Sequence, residues 1–372
     1  MSDGVKILIS KLLWKFMRIF PIDEKKITVS SYYGKALQDN PKYVAEYLLA
    51  KNPELKIYSL ENKQRDHNDP RIKVVSNNLL SRTYHLSTGK IWIDNCRKLH
   101  YISKRQNQYY IQTWHAGLGL KRIEFDVFDQ LYPSYTKWMK SDTDSMDLLI
   151  ADSVFIKNYF KTAFRFNKEI LCCGIPRCDI FTDEIKKQNI RQKLLKKYGL
   201  GENDKIIMYA PTFRQDLSSE AYDIDFDKLI KDLDYEYHFF IRLHPNVSDM
   251  ELNINYGNYI INVSGHDDMQ ELLITSDILI TDYSSCMFDF LYLGKRCVLY
   301  ASDLEKYIAS RSLLIDYDKL PFPCTYNYDQ LLLTLRKKED YKSIYEKWAL
   351  DYGVCKPGNA ARQIADWINE RL

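Results

Sequence analysis

The chain has 372 residues, more than one ordinary core holds, so two domains are expected. Hydrophobic residues at 45% and charged residues at 28% make a globular composition, which excludes a disordered or fibrous chain. With 53 basic and 50 acidic side chains the formal charge is +3, too even for a general nucleic-acid binder, so no nucleic-acid partner is expected.

The first element, "VKILISKLLWKFMRIFP", reads as a helix ended by Pro21. At about 100° per residue, Lys11, Lys15 and Arg18 fall within roughly 60° of arc. Val5, Leu8, Ile9, Leu12, Leu13, Phe16, Ile19 and Phe20 fill most of the opposite half, with Trp14 at the edge. Such a helix suits a membrane interface, its three cations on anionic head groups. A plain amphipathic helix packed on its domain is the alternative. The segment is too short and too interrupted by charge to span a bilayer, and it lacks the small-residue cleavage site of a signal peptide.

From residue 27 short β-rich runs alternate with longer amphipathic stretches. The runs are "KITVSS", "LKIYSL", "IKVVS", "KIWIDNC", "YYIQTW", "LLIADS" and "EILCCG", with helical patterns such as "NPKYVAEYLLAKN" and "SVFIKNYFKTAF" between them. This alternation predicts a parallel sheet covered by helices on both faces. A polar helical stretch around 176–204 then bridges to a second round: "KIIMYAPTF", "YHFFIRLHP", "NYIINVS", "DILITDYSS", "RCVLYA" and "LLIDY". The tail from about Tyr341 is again helical. The fold class expected is therefore α/β: two doubly wound Rossmann-like domains with an interdomain cleft and an amino-terminal amphipathic helix, which is the GT-B architecture. The boundaries expected are 1–22 for the membrane-associating helix, 23–185 for an acceptor-side domain, 186–345 for a donor-binding domain, and 346–372 for a helix crossing back to the first domain. Eight cysteines (96, 172, 173, 178, 286, 297, 324 and 355) form no C-x-x-C pair, so no zinc site is supported and buried reduced thiols of a cytosolic protein are expected.

In open α/β sheets ligands bind at the carboxyl ends of strands, and these ends are rich in chemistry here. "YYIQTWHAGLGLK" delivers His115 into a loop where Gly117 and Gly119 allow close backbone approach and Lys121 adds charge. An imidazole titrating near neutrality can take a proton from an attacking hydroxyl. "YAPTFR" delivers Thr212 and Arg214, and "FIRLHP" delivers Arg242 and His244, the latter fixed by Pro245. "ILITDYSSC" places Asp282, Ser284 and Ser285 where a helix begins, so that free amides and the helix dipole favour a phosphate. The serines serve equally as plain caps, and Asp282 is open to a ribose or amine contact or to capping. Arg242, His244 and Arg214 together would clamp a diphosphate, although a surface ion pair also accounts for Arg214.

The ordered set "QTWHAGLGLK", "APTFR", "RLHP" and "TDYSSCMFDF" resembles the CDP-glycerol glycerophosphotransferase family, over roughly residues 25–370. These are bacterial teichoic-acid primases and polymerases, with relatives in capsule synthesis. The segment "SLLIDYDKLPFP" also looks like one of that family. Many members read W-H-G-T-P-L-K where this chain has "WHAGLGLK", one residue longer. The long amino-terminal extension of the large polymerases is not present in the sequence, which implies a compact enzyme adding one or a few units.

The resemblance implies transfer of a polyol phosphate from CDP-glycerol or CDP-ribitol to a hydroxyl of a lipid-linked acceptor, with CMP released. It implies His115 as base, His244 on the donor phosphate, and Ser284 and Ser285 near the pyrophosphate. Thr212, Arg214, Arg242 and Asp282 fall on the donor side; Gly117, Gly119 and Lys121 fall on the acceptor side. No Asp-x-Asp triplet or carboxylate cluster suggests a metal, so no metal or other cofactor is expected. The location expected is peripheral, on the cytoplasmic face of a bacterial membrane; a homo-oligomeric state is left open. A GT-B glycosyltransferase using a nucleotide sugar shares most of these features, and a non-enzymatic membrane scaffold shares the fold.

Overall fold

A computed structural model describes residues 3–63, 67, 69–99, 101–214, 224–243, 254, 256–337 and 339–372. The chain divides into two units. The first comprises Met1–Gly117, Ile123–Asp179 and Gly353–Leu372; the second comprises Leu118–Arg122 and Ile180–Tyr352. The main division thus falls at 179/180 rather than 185/186, and the tail rejoins the first unit at Gly353. The short stretch Leu118–Arg122 belongs with the second unit.

The first unit holds strands β1 (Asp23–Ser30), β2 (Lys56–Glu61), β3 (Ile72–Ser76), β4 (Gly89–Asp94), β5 (Tyr109–Gln112), β6 (Leu148–Ala151) and β7 (Glu169–Cys172). All pairings are parallel, in the order β3-β2-β1-β4-β5-β6-β7. Val29 sits opposite Ile93 and Ser30 opposite Asp94, so β1 and β4 end level with each other. The runs are nearly continuous in Ile and Val because helices cover both faces of a parallel sheet. Ile27, Val29, Ile57, Ile91, Ile93 and Ile150 pack against Val44 and Leu48 of the helix Asp39–Lys51. Ile364 and Ile368 of the tail helix Ala360–Asn369 join the same core. Burying each such side chain contributes about 1.5–3 kcal/mol, which is why the tail stays with this unit.

The second unit holds β8 (Lys205–Tyr209), β9 (Tyr237–Ile241), β10 (Ile260–Asn262), β11 (Ile278–Thr281), β12 (Arg296–Tyr300) and β13 (Cys324–Thr325). These too are parallel, in the order β10-β9-β8-β11-β12-β13. The expected strand "LLIDY" is not in this sheet. Leu313 instead makes a single antiparallel bridge to Lys121, flanked by hydrogen bonds from Arg122 N to Ser312 O and from Leu314 N to Leu120 O. The sixth strand is the two-residue β13, too short to leave a period-2 signature.

The amino-terminal helix, Asp3–Met17, packs on the first unit through Ser10, Trp14 and Met17. The Trp14 indole donates to Ser103 O at 3.1 Å and meets Trp92 edge-on. Leu8, Ile9, Leu12, Phe16 and Ile19 remain exposed, beside exposed Lys11 and Lys15. Arg18, expected among the lipid-facing cations, turns inward: its Nη2 donates to Ser103 O at 2.7 Å and Lys104 O at 2.9 Å. Its neighbours are the loop carbonyls of Ser103 and Lys104, which draw the guanidinium off the helix's cationic side. No helix among the described residues is long and apolar enough to cross a membrane. All eight cysteines are free; Cys96, Cys173, Cys178, Cys286 and Cys297 are buried.

Candidate active site

In the first unit the strand order reverses between β1 and β4, and the crevice outside their carboxyl ends is where a doubly wound sheet accepts ligands. Tyr32, just beyond β1, and Asn95, just beyond β4, stand at this point, and His115 arrives from the adjacent β5. The Tyr32 amide donates to Asn95 Oδ1 at 2.8 Å. His115 Nδ1 lies 2.9 Å from the Asn95 carbonyl oxygen. A carbonyl can only accept, so Nδ1 carries the proton and Nε2 keeps its lone pair. Burial lowers the His115 pKa, opposed by the Asn95 hydrogen bond and by Asp39. The imidazole is therefore neutral at neutral pH, the state a general base needs.

The ring is wedged by its neighbours. Trp114 lies 4.3 Å from it, centroid to centroid, and itself meets Phe164 edge-on at 4.9 Å. Trp114 has φ +51, a left-handed conformation that an L-residue adopts at a cost, and this turns the chain sharply just beyond β5. Gly117 is required by space: a Cβ there would overlap the Asp152 carboxylate and Ile175. Gly119 is half-buried.

Sequence reasoning missed a buried polar cluster behind His115. The Arg177 Nη1 donates to Asp39 Oδ1 at 2.7 Å and to His115 O at 2.9 Å. The other Asp39 oxygen accepts from Tyr32 Oη and from Asn95 Nδ2. Asn40 Nδ2 donates to Trp114 O at 3.1 Å. The cluster joins segments that follow β1, β4, β5 and β7, which are far apart in the chain and meet only through the order of the sheet.

In the second unit the order reverses between β8 and β11. Thr212 follows β8 and Asp282 follows β11, and the Thr212 amide donates to both Asp282 oxygens, at 2.9 and 3.1 Å. Asp282 also accepts from the Tyr283 amide and from Arg214 Nη2. Its carboxylate fixes this turn. Arg214 is correspondingly not a surface cation. It is 6% exposed, its Nε donates to Asp303 Oδ2 at 2.7 Å, and its Nη2 reaches Asp282 Oδ2 at 2.8 Å. Its guanidinium carbon lies 4.9 Å from the Tyr283 ring and 5.2 Å from that of Tyr307. The two carboxylates raise its pKa against the cost of burial. Two anions thus neutralise Arg214 in this arrangement. Asp303, Tyr283 and Tyr307 gave no sign of this in sequence.

Ser284 and Ser285 are half-buried at the start of the helix Cys286–Leu291. Ser284 Oγ accepts from the Cys286 amide at 3.4 Å, and Ser285 makes no capping hydrogen bond with its side chain. Arg242, just past β9, donates through Nη1 to His266 O at 2.6 Å and Val263 O at 3.3 Å. Burial lowers its pKa. His244 and Pro245 lie outside the described residues. Lys121, expected on the acceptor side, instead belongs with the second unit: its Nζ stands 5.6 Å from the Tyr307 ring, and burial lowers its pKa to about 8 despite Asp282 nearby. Among the described residues no group of three His, Cys, Asp or Glu side chains is disposed to hold a metal ion.

The chain is 31% identical to a teichoic acid poly(glycerol phosphate) polymerase of Staphylococcus epidermidis, over 94% of this chain and 51% of that protein, so it spans about half the length of that relative. It is 30% identical to a teichoic acid poly(glycerol phosphate) polymerase of Bacillus spizizenii, over 90% of this chain and 89% of the other. Among solved structures it resembles the wall teichoic acid polymerase TagF, in a histidine-to-asparagine variant soaked with CDPG. There the TM-score is 0.87 at 28% identity, over 98% of this chain and 95% of that one. Residues 12–370 match the family described as CDP-glycerol:poly(glycerophosphate) glycerophosphotransferase, and the chain belongs to that family.

Proposed function

We propose that the protein transfers glycerol phosphate, or ribitol phosphate, from a CDP-polyol to a hydroxyl of a lipid-linked acceptor in teichoic acid or capsular polymer synthesis. The observation that carries this reading is the neutral His115, its Nδ1–H tied to the Asn95 carbonyl and Nε2 left to accept. The acceptor hydroxyl oxygen attacks the polyol-bearing phosphorus while His115 Nε2 takes its proton. The bond from that phosphorus to the bridging oxygen breaks, and CMP leaves with the bonding pair. In-line positioning and charge stabilisation supply most of the rate. Ser284, Ser285 and Arg242 are the donor-phosphate contacts in this scheme, and His244 keeps the phosphate role that the family resemblance gives it. Thr212, Asp282 and Arg214 hold the turns that carry them. The reaction runs without a metal. The two parallel-sheet units are the halves of a GT-B architecture.

The helix Asp3–Met17 rests on an anionic membrane surface in this reading, at the cytoplasmic face. Support comes from its exposed Leu8, Leu12, Phe16 and Ile19, with Lys11 and Lys15 alongside, and from Phe20 and Leu80 exposed nearby.

The test is a donor panel. Purified protein with acceptor is given CDP-glycerol, CDP-ribitol and several nucleotide sugars, and CMP, UMP and UDP release is measured. CMP release from a CDP-polyol is the expected result. Release from nucleotide sugars alone would replace the proposal with a glycosyltransferase.

A further inference from the structure

We propose that Asp39 and Arg177 are positioning residues that orient His115 and hold it as a proton acceptor. The proposal rests on the assignment of His115 as the base. Three polar ties fix the two-residue segment Trp114–His115. Arg177 Nη1 holds the His115 carbonyl at 2.9 Å, Asn40 Nδ2 holds the Trp114 carbonyl at 3.1 Å, and the Asn95 carbonyl holds the imidazole Nδ1 at 2.9 Å.

Each of those three partners is in turn bound to the Asp39 carboxylate. Its Oδ1 accepts from Arg177 Nη1 at 2.7 Å and from the Asn40 amide at 2.7 Å, and its Oδ2 accepts from Asn95 Nδ2 at 3.2 Å. One carboxylate therefore ties together the three residues that hold the Trp114–His115 segment, through the Arg177 and Asn95 side chains and the Asn40 amide. The cluster is closed to solvent: Asp39 is 9% exposed, Arg177 5%, Asn40 1% and Asn95 0%. Asp39 itself takes a left-handed φ of +58, as Trp114 takes +51. Two non-glycine residues in that region persist only where surrounding contacts over-determine them.

The charged groups that face the imidazole are Asp39, Arg177 and Glu124. Glu124 is already paired with Arg97, Nη2 to Oε2 at 2.7 Å, and accepts from Tyr135. Tyr32 also packs near the ring, at 6.1 Å. The Asp39–Arg177 pair is thus the balance that removal of one partner would tip. Asp39→Asn removes an anion that favours the imidazolium and so disfavours it. Arg177→Gln leaves the Asp39 carboxylate unopposed and favours it. A purely structural role would not move the His115 titration in opposite directions.

The experiment uses the full chain, with CDP-glycerol and an acceptor, and combines pH–rate profiles with NMR titration of the His115 imidazole, assigned from His115→Ala. Both variants are expected to lower kcat about 10- to 100-fold with donor KM within about twofold. The acid limb of the rate profile and the His115 titration should fall by about half to one pH unit in D39N and rise by a similar amount in R177Q. Arg177→Lys should leave the limb in place while kcat falls, because charge survives and geometry does not. If the His115 titration stays fixed in the variants that fold, the proposal is overturned; R177Q and R177K decide it should D39N fail to fold. If the titration moves in opposite directions and the rate profile does not follow, the base assignment fails while the link to the imidazole stands.

Discussion

The Asp179 carboxylate caps the helix that begins at Ala360, 181 residues further along the chain: Oδ1 accepts from the Gly358 amide at 2.7 Å and the Ala360 amide at 3.1 Å, and Oδ2 from the Ala361 amide at 2.8 Å. The orphan amides of a helix start are thus satisfied from the last residue of the first unit's segment Ile123–Asp179. Asp179→Ala should lower the stability of this unit by about 2 kcal/mol and make the tail more sensitive to protease, read by chemical denaturation and limited proteolysis.

His115→Ala should lower the rate of polyol-phosphate transfer by roughly 10²- to 10⁴-fold while CDP-glycerol binding persists. Single-turnover CMP release and calorimetric donor titration separate the two. Loss of donor binding with the same fold would place His115 on the donor rather than on the attacking hydroxyl.

Arg214 and Arg242 should divide by kind of effect. Arg214→Ala strands Asp282 and Asp303 as buried anions and should destabilise the second unit by about 3–5 kcal/mol. Arg242→Ala loses hydrogen bonds to two carbonyls, Val263 and His266, and should mainly raise the donor KM. Thermal melts alongside steady-state kinetics distinguish them; a donor KM effect of R214A without loss of stability would restore its reading as a phosphate ligand.

Acid should loosen the first unit through His85. Its ring packs on Tyr58 at 4.8 Å, Nδ1 is buried without a hydrogen-bond partner, and burial with Lys26 nearby pushes its pKa down to about 4. Unfolded, it titrates near 6.5, so between these values the unfolded chain binds a proton that the folded chain does not. The associated stability is present above about pH 6.5 and is lost as pH falls towards 4. Denaturation midpoints should drop over that window, and His85→Leu should flatten the drop by an amount on the order of 1–2 kcal/mol.

The amino-terminal helix should separate adhesion from folding. Leu12→Glu with Phe16→Glu, at exposed apolar positions, should abolish binding to anionic liposomes with little change in melting temperature. Arg18→Ala should do the reverse, since its guanidinium serves Ser103 and Lys104. Undiminished liposome binding by the double glutamate variant would leave the helix without a membrane role.

The sheets were legible because parallel strands buried on both faces write themselves as Ile- and Val-rich runs, such as Ile27–Val29 and Ile278–Ile280. The run at Leu313 reads the same way, yet its apolar side chains serve a loop bridge to Lys121, which hydrophobicity alone does not distinguish from a sheet strand. Strand ends gave His115, Thr212 and Asp282 because a residue after an apolar run stands at the crevice. What was hidden is whatever depends on strand order: Asp39 meets Asn95 only because β1 lies beside β4, and Arg214 meets Asp303 across 89 residues. Arg18 was misread for a related reason. The helical wheel locates a side chain on the cylinder but does not reveal which loop carbonyls lie within its reach.

The threading of the chain bears on how the protein can be dissected. Because the borders fall at 117/118, 122/123, 179/180 and 352/353, neither unit is a contiguous segment. A fragment cut to 180–352 would leave Leu313 without Lys121, and one cut to 1–179 would expose the core that Ile364 and Ile368 close. Synthesis must therefore reach the final helix before the first sheet can be sealed, so a ribosome-bound chain stalled short of residue 360 should remain a chaperone substrate.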